Sequence, residues 1–345
     1  MAINLDLIAQ QKERDMLKAF ANAVSDIKNT VQLNELESAI ERQDTNAVVR
    51  LLGLDRASFE QVDDEIYQAY RMGGLTGVEQ IGRIPTELGN VAFRFDMGAP
   101  AAIEWIRAES SQLVTEVVTD QVAMIQQQLE RGLDLGNNPR TTALDLIGRY
   151  NPATKKRTGG TVGLTTQQAG WINKSYNELL ELDSNYLTRQ LRDKRFDSVI
   201  RKAIEDGKPL TREQINNAIT QMQNNALRYR GEVIARTESI NALRAGQFQA
   251  VQQALDVGEL DAQDASKAWD ATGDSRTRLD HWQMEAKYKD GIPIDEAFQF
   301  PDGTEAMYPG DNSLGASAEQ VIQCRCRNVI KIDFIGKQVR VEGFK

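Results

Sequence analysis

The chain has 345 residues, enough for two or more domains that each bury a core. Charged residues make up 26%, apolar residues 41% and aromatics only 6%, which suits long polar-faced helices better than a compact enzyme core. A formal charge of −9 argues against a dedicated duplex-DNA binder, and no apolar run approaches the roughly 18 residues of a membrane span.

From Met1 to Asp15 the chain carries Asp6, Glu13 and Asp15 and has neither the apolar centre nor the cleavage site of a signal peptide, so a cytoplasmic protein is expected. Leu5, Ile8, Leu17, Phe20, Val24 and Ile27 fall at helical spacing and predict a helix over Asn4 to Lys28. Two short helices follow, Leu33 to Arg42 and Asn46 to Leu52, with Asp44 or Thr45 placed to cap the second. A further helix is expected from Ser58 to Met72, stopped by Gly73-Gly74. A Gly- and Pro-containing connection then runs to Pro100, with a short strand at Phe93-Arg94-Phe95.

Ile103, Ile106, Leu113, Val117, Val118, Met124, Ile125 and Leu129 predict a long helix over Ala101 to Gly132, with Gly132 as its stop. A short helix, Thr141 to Arg149, precedes a loop over Tyr150 to Gly163 that holds Lys155-Lys156-Arg157. Helical spacing resumes over Thr165 to Leu191 and Phe196 to Asp206. Thr211 and Gln214 form a capping pair for a helix to about Tyr229, which continues or kinks into another over Glu232 to Gly258. Beyond Gly258 turn residues multiply, and Val329 to Ile335 reads as a strand.

The fold class expected is mainly α with a small C-terminal α+β domain: long N-terminal helices, and short strands after about residue 260. Three regions are expected: 1–100, helical; 101–230, a long-helix body; and 231–345, the α+β module with a basic tail. In that tail Arg325, Arg327, Lys331, Lys337, Arg340 and Lys345 outnumber Asp333 and Glu342. Lys155, Lys156, Arg157, Arg325, Arg327 and Arg340 are therefore the candidate phosphate contacts, against the plainer reading of a solvated surface.

Chemistry-bearing residues gather in the last third. Arg236-Thr237-Glu238 lies on a predicted helix, where residues two apart do not face each other, so Arg236 and Glu238 each need a partner elsewhere. Trp269 is followed by Asp274-Ser275-Arg276-Thr277-Arg278-Leu279-Asp280-His281, which includes the only histidine. Pro309-Gly310-Asp311 precedes Cys324-Arg325-Cys326, the only two cysteines. In a strand such a pair shares a face with Cα atoms about 6–7 Å apart, poor for a disulfide. No Gly-x-Ser-x-Gly, phosphate loop or His-Glu-x-x-His occurs.

These four pieces, in this order, resemble the phage Mu-type head-morphogenesis (minor head protein) family over about Gly231 to Asp333. Thr277 departs from the family's apolar preference, and the stretch from His281 to Gly291 is longer than usual. The resemblance implies a non-enzymatic minor capsid protein of a tailed phage or prophage, assembled in the bacterial cytoplasm and kept in the virion at the head interior or portal vertex. It implies incorporation near the portal during procapsid assembly, with portal, coat or scaffold proteins as partners and packaged double-stranded DNA as a further contact during packaging or ejection.

Two readings of the cluster stay open. In one, His281, Cys324 and Cys326 hold a structural zinc with Asp274 or Asp280 as a fourth ligand; no other cofactor is expected. In the other, which the residues alone favour, a buried hydrogen-bond network forms. Asp274 would accept from Arg276, Arg278 or backbone N–H groups, His281 would cap a turn, and both cysteines would pack as small apolar groups. Either way Arg236, Glu238, Asp274, Arg276 and Arg278 are expected to form the structural network. The enzymatic alternative is a metal-dependent nuclease using Asp274, His281, Cys324 and Cys326.

Overall fold

A computed structural model of the chain describes residues 5–86 and 89–334. The predicted end of the last strand at Ile335, and Lys337, Arg340, Glu342 and Lys345 of the tail, lie outside the described residues.

Helices dominate, as expected. In chain order they are α1 (Leu5–Thr30), α2 (Leu33–Glu41), α3 (Thr45–Leu51), α4 (Glu60–Ile81), α5 (Pro100–Asp134), α6 (Pro139–Ile147), α7 (Thr166–Leu180), α8 (Asp197–Asp206), α9 (Arg212–Asp256), α10 (Leu279–Tyr288) and α11 (Ala318–Val321). The strands are β1 (Arg83–Thr86), β2 (Gly89–Ala92), β3 (Arg149–Asn151), β4 (Lys156–Thr158), β5 (Ala265–Asp270), β6 (Ile292–Pro293), β7 (Phe298–Gln299), β8 (Glu305–Ala306) and β9 (Arg327–Ile332). The chain folds into two compact units. Among the described residues, one comprises 5–17, 62–86, 89–110 and 233–334; the other comprises Lys18–Gln61 and Ser111–Glu232.

The second of these is almost all helix, and its helix starts follow local chemistry. Asp44 accepts from the Ala47 N–H, and Asn138 accepts from the Thr141 N–H ahead of Pro139. Thr165 with Gln168, and Thr211 with Gln214, each bond reciprocally as capping boxes. Leu164, Ile172, Leu179, Tyr186, Ile215 and Met222 are buried together in its core. The predicted 150–163 loop contains the β3–β4 hairpin, with Tyr150 opposite Arg157. The helix from Thr165 ends at Leu180 rather than Leu191, and a 3-10 turn, Ser184–Thr188, follows. Gly132 does not stop α5, because its missing side chain makes room for Thr142. The stop is Gly136, at φ +62, where the Asn137 N–H bonds back to the Gly132 carbonyl.

The unit that contains the C-terminal module differs from expectation at its glycines. Gly73 and Gly74 do not end α4, which runs on to Ile81. A Cβ on Gly73 would lie 2.0 Å from the Leu243 carbonyl oxygen, one on Gly246 would lie 2.0 Å from that of Tyr70, and one on Gly77 would meet Gln247 and Ala250 at 2.8 Å. These glycines let the backbones of α4 and α9 meet where any side chain would hold them apart. Phe95 is not in a strand: β2 ends at Ala92, and the Phe95 ring packs on Gly74. α9 runs without a break through Tyr229 and Glu232 as one helix of 45 residues.

β5 lies at the centre of a three-stranded antiparallel sheet in the order β6-β5-β9, with Trp269 opposite Asn328 and Asp270 opposite Arg327. α10 packs on β5, and β7 pairs with β8 beside it. Trp269, Met284, Tyr288, Phe298, Phe300, Val321, Cys324 and Cys326 form the module's buried core. No helix among the described residues is long and apolar enough to cross a membrane.

Candidate functional site

The site is assembled by four elements that bring together residues far apart in sequence. Asp274 starts the turn before α10: its carboxylate accepts from the Arg276 N–H at 2.9 Å, and the Thr277 N–H bonds its carbonyl at 3.0 Å. That turn delivers His281 from the first turn of α10, buried to 1% exposure. β5 supplies Trp269, whose ring meets His281, Phe298 and Phe300 edge-on at 5.3–5.4 Å. Cys324 and Cys326 enter from the segment that leads from α11 into β9 and are 3% and 2% exposed. One ligand atom each of His281, Cys324 and Cys326 lies within 4.8 Å of the others; the described residues give this group three members.

The imidazole is held from both sides. Its Nδ1 lies 3.1 Å from Cys326 Sγ and 3.7 Å from Cys324 Sγ, and its Nε2 lies 3.1 Å from Gln320 Oε1. The Gln320 amide nitrogen donates to Asp280 at 2.9 Å and to Asp302 at 3.2 Å. Two carboxylates fix which end of that amide is nitrogen, so its oxygen faces the ring. Nε2–H then donates to that oxygen, and in the neutral ring the Nδ1 lone pair points at the sulfurs. His281 thus caps no turn, and Asp280 acts on it through Gln320.

The cysteine segment is equally constrained. Gln323 sits at φ +56, a left-handed conformation unusual for a residue with a side chain. Its N–H donates to Thr237 Oγ1 at 3.0 Å, and its side-chain oxygen accepts from Arg236 at 3.1 Å. Arg278 donates to the Ile322 carbonyl, and buried Arg244 donates to the carbonyls of Pro309 at 2.9 Å and Cys324 at 3.2 Å. Thr237 and Arg244 are seven residues apart on α9 and share one face of the helix. The Pro309-Gly310-Asp311 turn completes the frame: Asp311 accepts from the N–H groups of Met307 and Ser313. Gly310, at φ +96, leaves space where a Cβ would lie 3.1 Å from Arg244.

Charge follows from this packing. The Cys324 thiol is pushed well down by the hydrogen bond from Cys326, helped by the Arg244 guanidinium, while Cys326 is pushed up by giving that bond and by burial. Burial lowers Arg244. Asp274 is held down to about 2, chiefly by its two bonds from Arg325 at 2.7 and 2.8 Å.

The other sequence candidates divide. Arg236 pairs with Glu13 at 3.2 Å as well as with Gln323, and Glu238 lies two residues on along α9. Asp274 is committed to Arg325 and Arg276 and is not in the His–Cys group. Arg327 pairs with Asp270 at 2.7 Å and approaches Asp6 at 3.8 Å. Lys155 and Lys156 are exposed in the β3–β4 hairpin, and half-buried Arg157 donates to the Gly148 carbonyl. Arg340 lies outside the described residues.

Sequence reasoning passed over Gln320, Asp302, Arg244 and Lys267. Lys267, fully buried in β5, donates to the Met307 carbonyl at 2.8 Å and lies 5.0 and 5.1 Å from the ring centres of Phe248 and Phe298. The seven-residue step from Thr237 could have singled out Arg244; nothing in the local sequence distinguishes Gln320.

No curated protein and no solved structure matches the chain. Residues 194–329 match the family model described as Phage Mu protein F like protein. The C-terminal part of the chain is thus similar to the bacteriophage head-morphogenesis family that its motifs resemble.

Proposed function

We propose that this chain is a minor capsid protein of a tailed phage or prophage, built into the procapsid near the portal and retained in the virion without catalytic work. The family match over residues 194–329 carries this reading. The site supports it as well. Arg236, Thr237, Asp274 and Arg278 of the first two motifs bond residues 322–325 around the Cys-Arg-Cys segment, and Arg244 ties Pro309 to Cys324, as a fixed scaffold requires. A nuclease would need His281 open to substrate, but His281 is 1% exposed with both ring nitrogens engaged.

Portal, coat or scaffold protein is the expected partner, with packaged DNA a weaker second. Of the basic candidates, Arg325 and Arg327 already face carboxylates, which leaves Lys155 and Lys156 the better placed. The test is to co-express the chain with the coat, scaffold and portal proteins of its phage and to isolate assembled heads. The chain is expected in the head fraction in few copies, resisting a wash at about 0.5 M salt, where phosphate contacts are lost. Recovery only in the unassembled fraction overturns the reading. Release by salt from DNA-filled heads alone would assign it to the DNA instead.

A further inference from the structure

We infer that His281 Nδ1, Cys324 Sγ and Cys326 Sγ hold one zinc ion as a clamp between α10 and the segment entering β9. The inference is independent of the head-assembly reading. The donor types are those zinc prefers, two thiolates and an imidazole. Tetrahedral zinc bonds of about 2.3 Å to sulfur and 2.0–2.1 Å to nitrogen place N and S ligands about 3.6 Å apart. The Nδ1–Sγ distances of 3.1 and 3.7 Å therefore need adjustment by only a few tenths of an ångström.

Two observations go beyond proximity. The first is tautomer control: Asp280 and Asp302 orient Gln320, and Gln320 Oε1 accepts from the Nε2–H, which in the neutral ring leaves the Nδ1 lone pair aimed at both sulfurs. A histidine whose second N–H is held in this way is the usual supporting arrangement of a metal ligand. The second is backbone preorganisation: the left-handed Gln323 and the bonds from Arg278, Arg236 and Arg244 fix the cysteine segment before any ion arrives. Packing two small apolar side chains does not require such a frame.

On binding, both thiols lose their protons to solvent, and two sulfur anions offset the dication. The fourth position takes water, since no fourth His, Cys, Asp or Glu joins the group among the described residues. Asp274, bound to Arg325, is not a ligand.

The test uses the full chain purified under a phosphine reductant without chelator. About one zinc per chain is expected. Replacement by cobalt(II) should give thiolate-to-cobalt charge-transfer absorption, and X-ray absorption at the zinc edge should fit two sulfur and two nitrogen or oxygen neighbours. Gln320→Leu, which leaves the three ligands in place, should weaken zinc binding roughly 10–100-fold. A folded wild-type chain that binds neither zinc nor cobalt overturns the inference, whatever the variants do. Undiminished zinc in a Cys324→Ser/Cys326→Ser chain overturns it as well, because the ion then sits elsewhere.

Discussion

Lys267 illustrates what a single buried charge does to this module. Its ammonium has one carbonyl acceptor and two aromatic faces in place of water, and burial lowers its pKa to about 8, from 10.5 for a free lysine. Below pH 8 the folded and unfolded chains both carry the proton, and the full cost of burying the charge is present. Between pH 8 and 10.5 the folded chain releases the proton first, so this cost falls and stability rises with pH. Wild type should gain on Lys267→Met by on the order of 3 kcal/mol across that window, read from denaturant unfolding at each pH. A constant gap would mean that the lysine keeps its proton inside the fold. Few such details were legible in the sequence. Lys267 sits in a short strand with nothing beside it to mark it, and Gln320 owes its role to two carboxylates 18 and 40 residues away.

Among elements, the α4–α9 contact separates two uses of glycine that look alike in sequence. Gly246 faces the Tyr70 carbonyl so closely that a methyl group forces the helices apart. Gly246→Ala should therefore cost about 3 kcal/mol through overpacking. Gly170, inside α7 with nothing within 4 Å of an added Cβ, is the control: Gly170→Ala should stabilise by about 0.5–1 kcal/mol, since only the backbone entropy of the unfolded chain is removed. Thermal unfolding of the two variants reads both signs, and equal effects would refute the close-contact account. The Gly73-Gly74 stop failed for the same reason. Local sequence offers a break there, but Leu243, on a helix 170 residues later, supplies a surface that repays continuing the helix. The caps behaved differently. Asp44, Asn138, Thr165 and Thr211 bond to groups within three residues, so their effect is contained in the sequence around them.

For the whole molecule, a formal charge of −9 and arginines already paired with carboxylates predict weak attraction to duplex DNA. In about 0.15 M salt the isolated chain should bind DNA no more tightly than about 10⁻⁴ M, the weak end of non-specific binding. Fluorescence anisotropy with a labelled duplex measures this. Micromolar binding lost in a Lys155→Glu/Lys156→Glu chain would instead show the β3–β4 hairpin to be a DNA contact.

The sequence by itself determined the helical class, most helix starts, the order of the four motifs and the residue types at the site. Each of these depends on spacing or on bonds that span a few residues. Only the tertiary structure decided that α9 is one helix, that glycines in α4 serve close packing, and that His281 meets the cysteines. It also decided that Asp274 answers Arg325 and Asp280 answers Gln320. Those outcomes compare partners tens to hundreds of residues apart, whose competition for one carboxylate or one helix face is settled by packing.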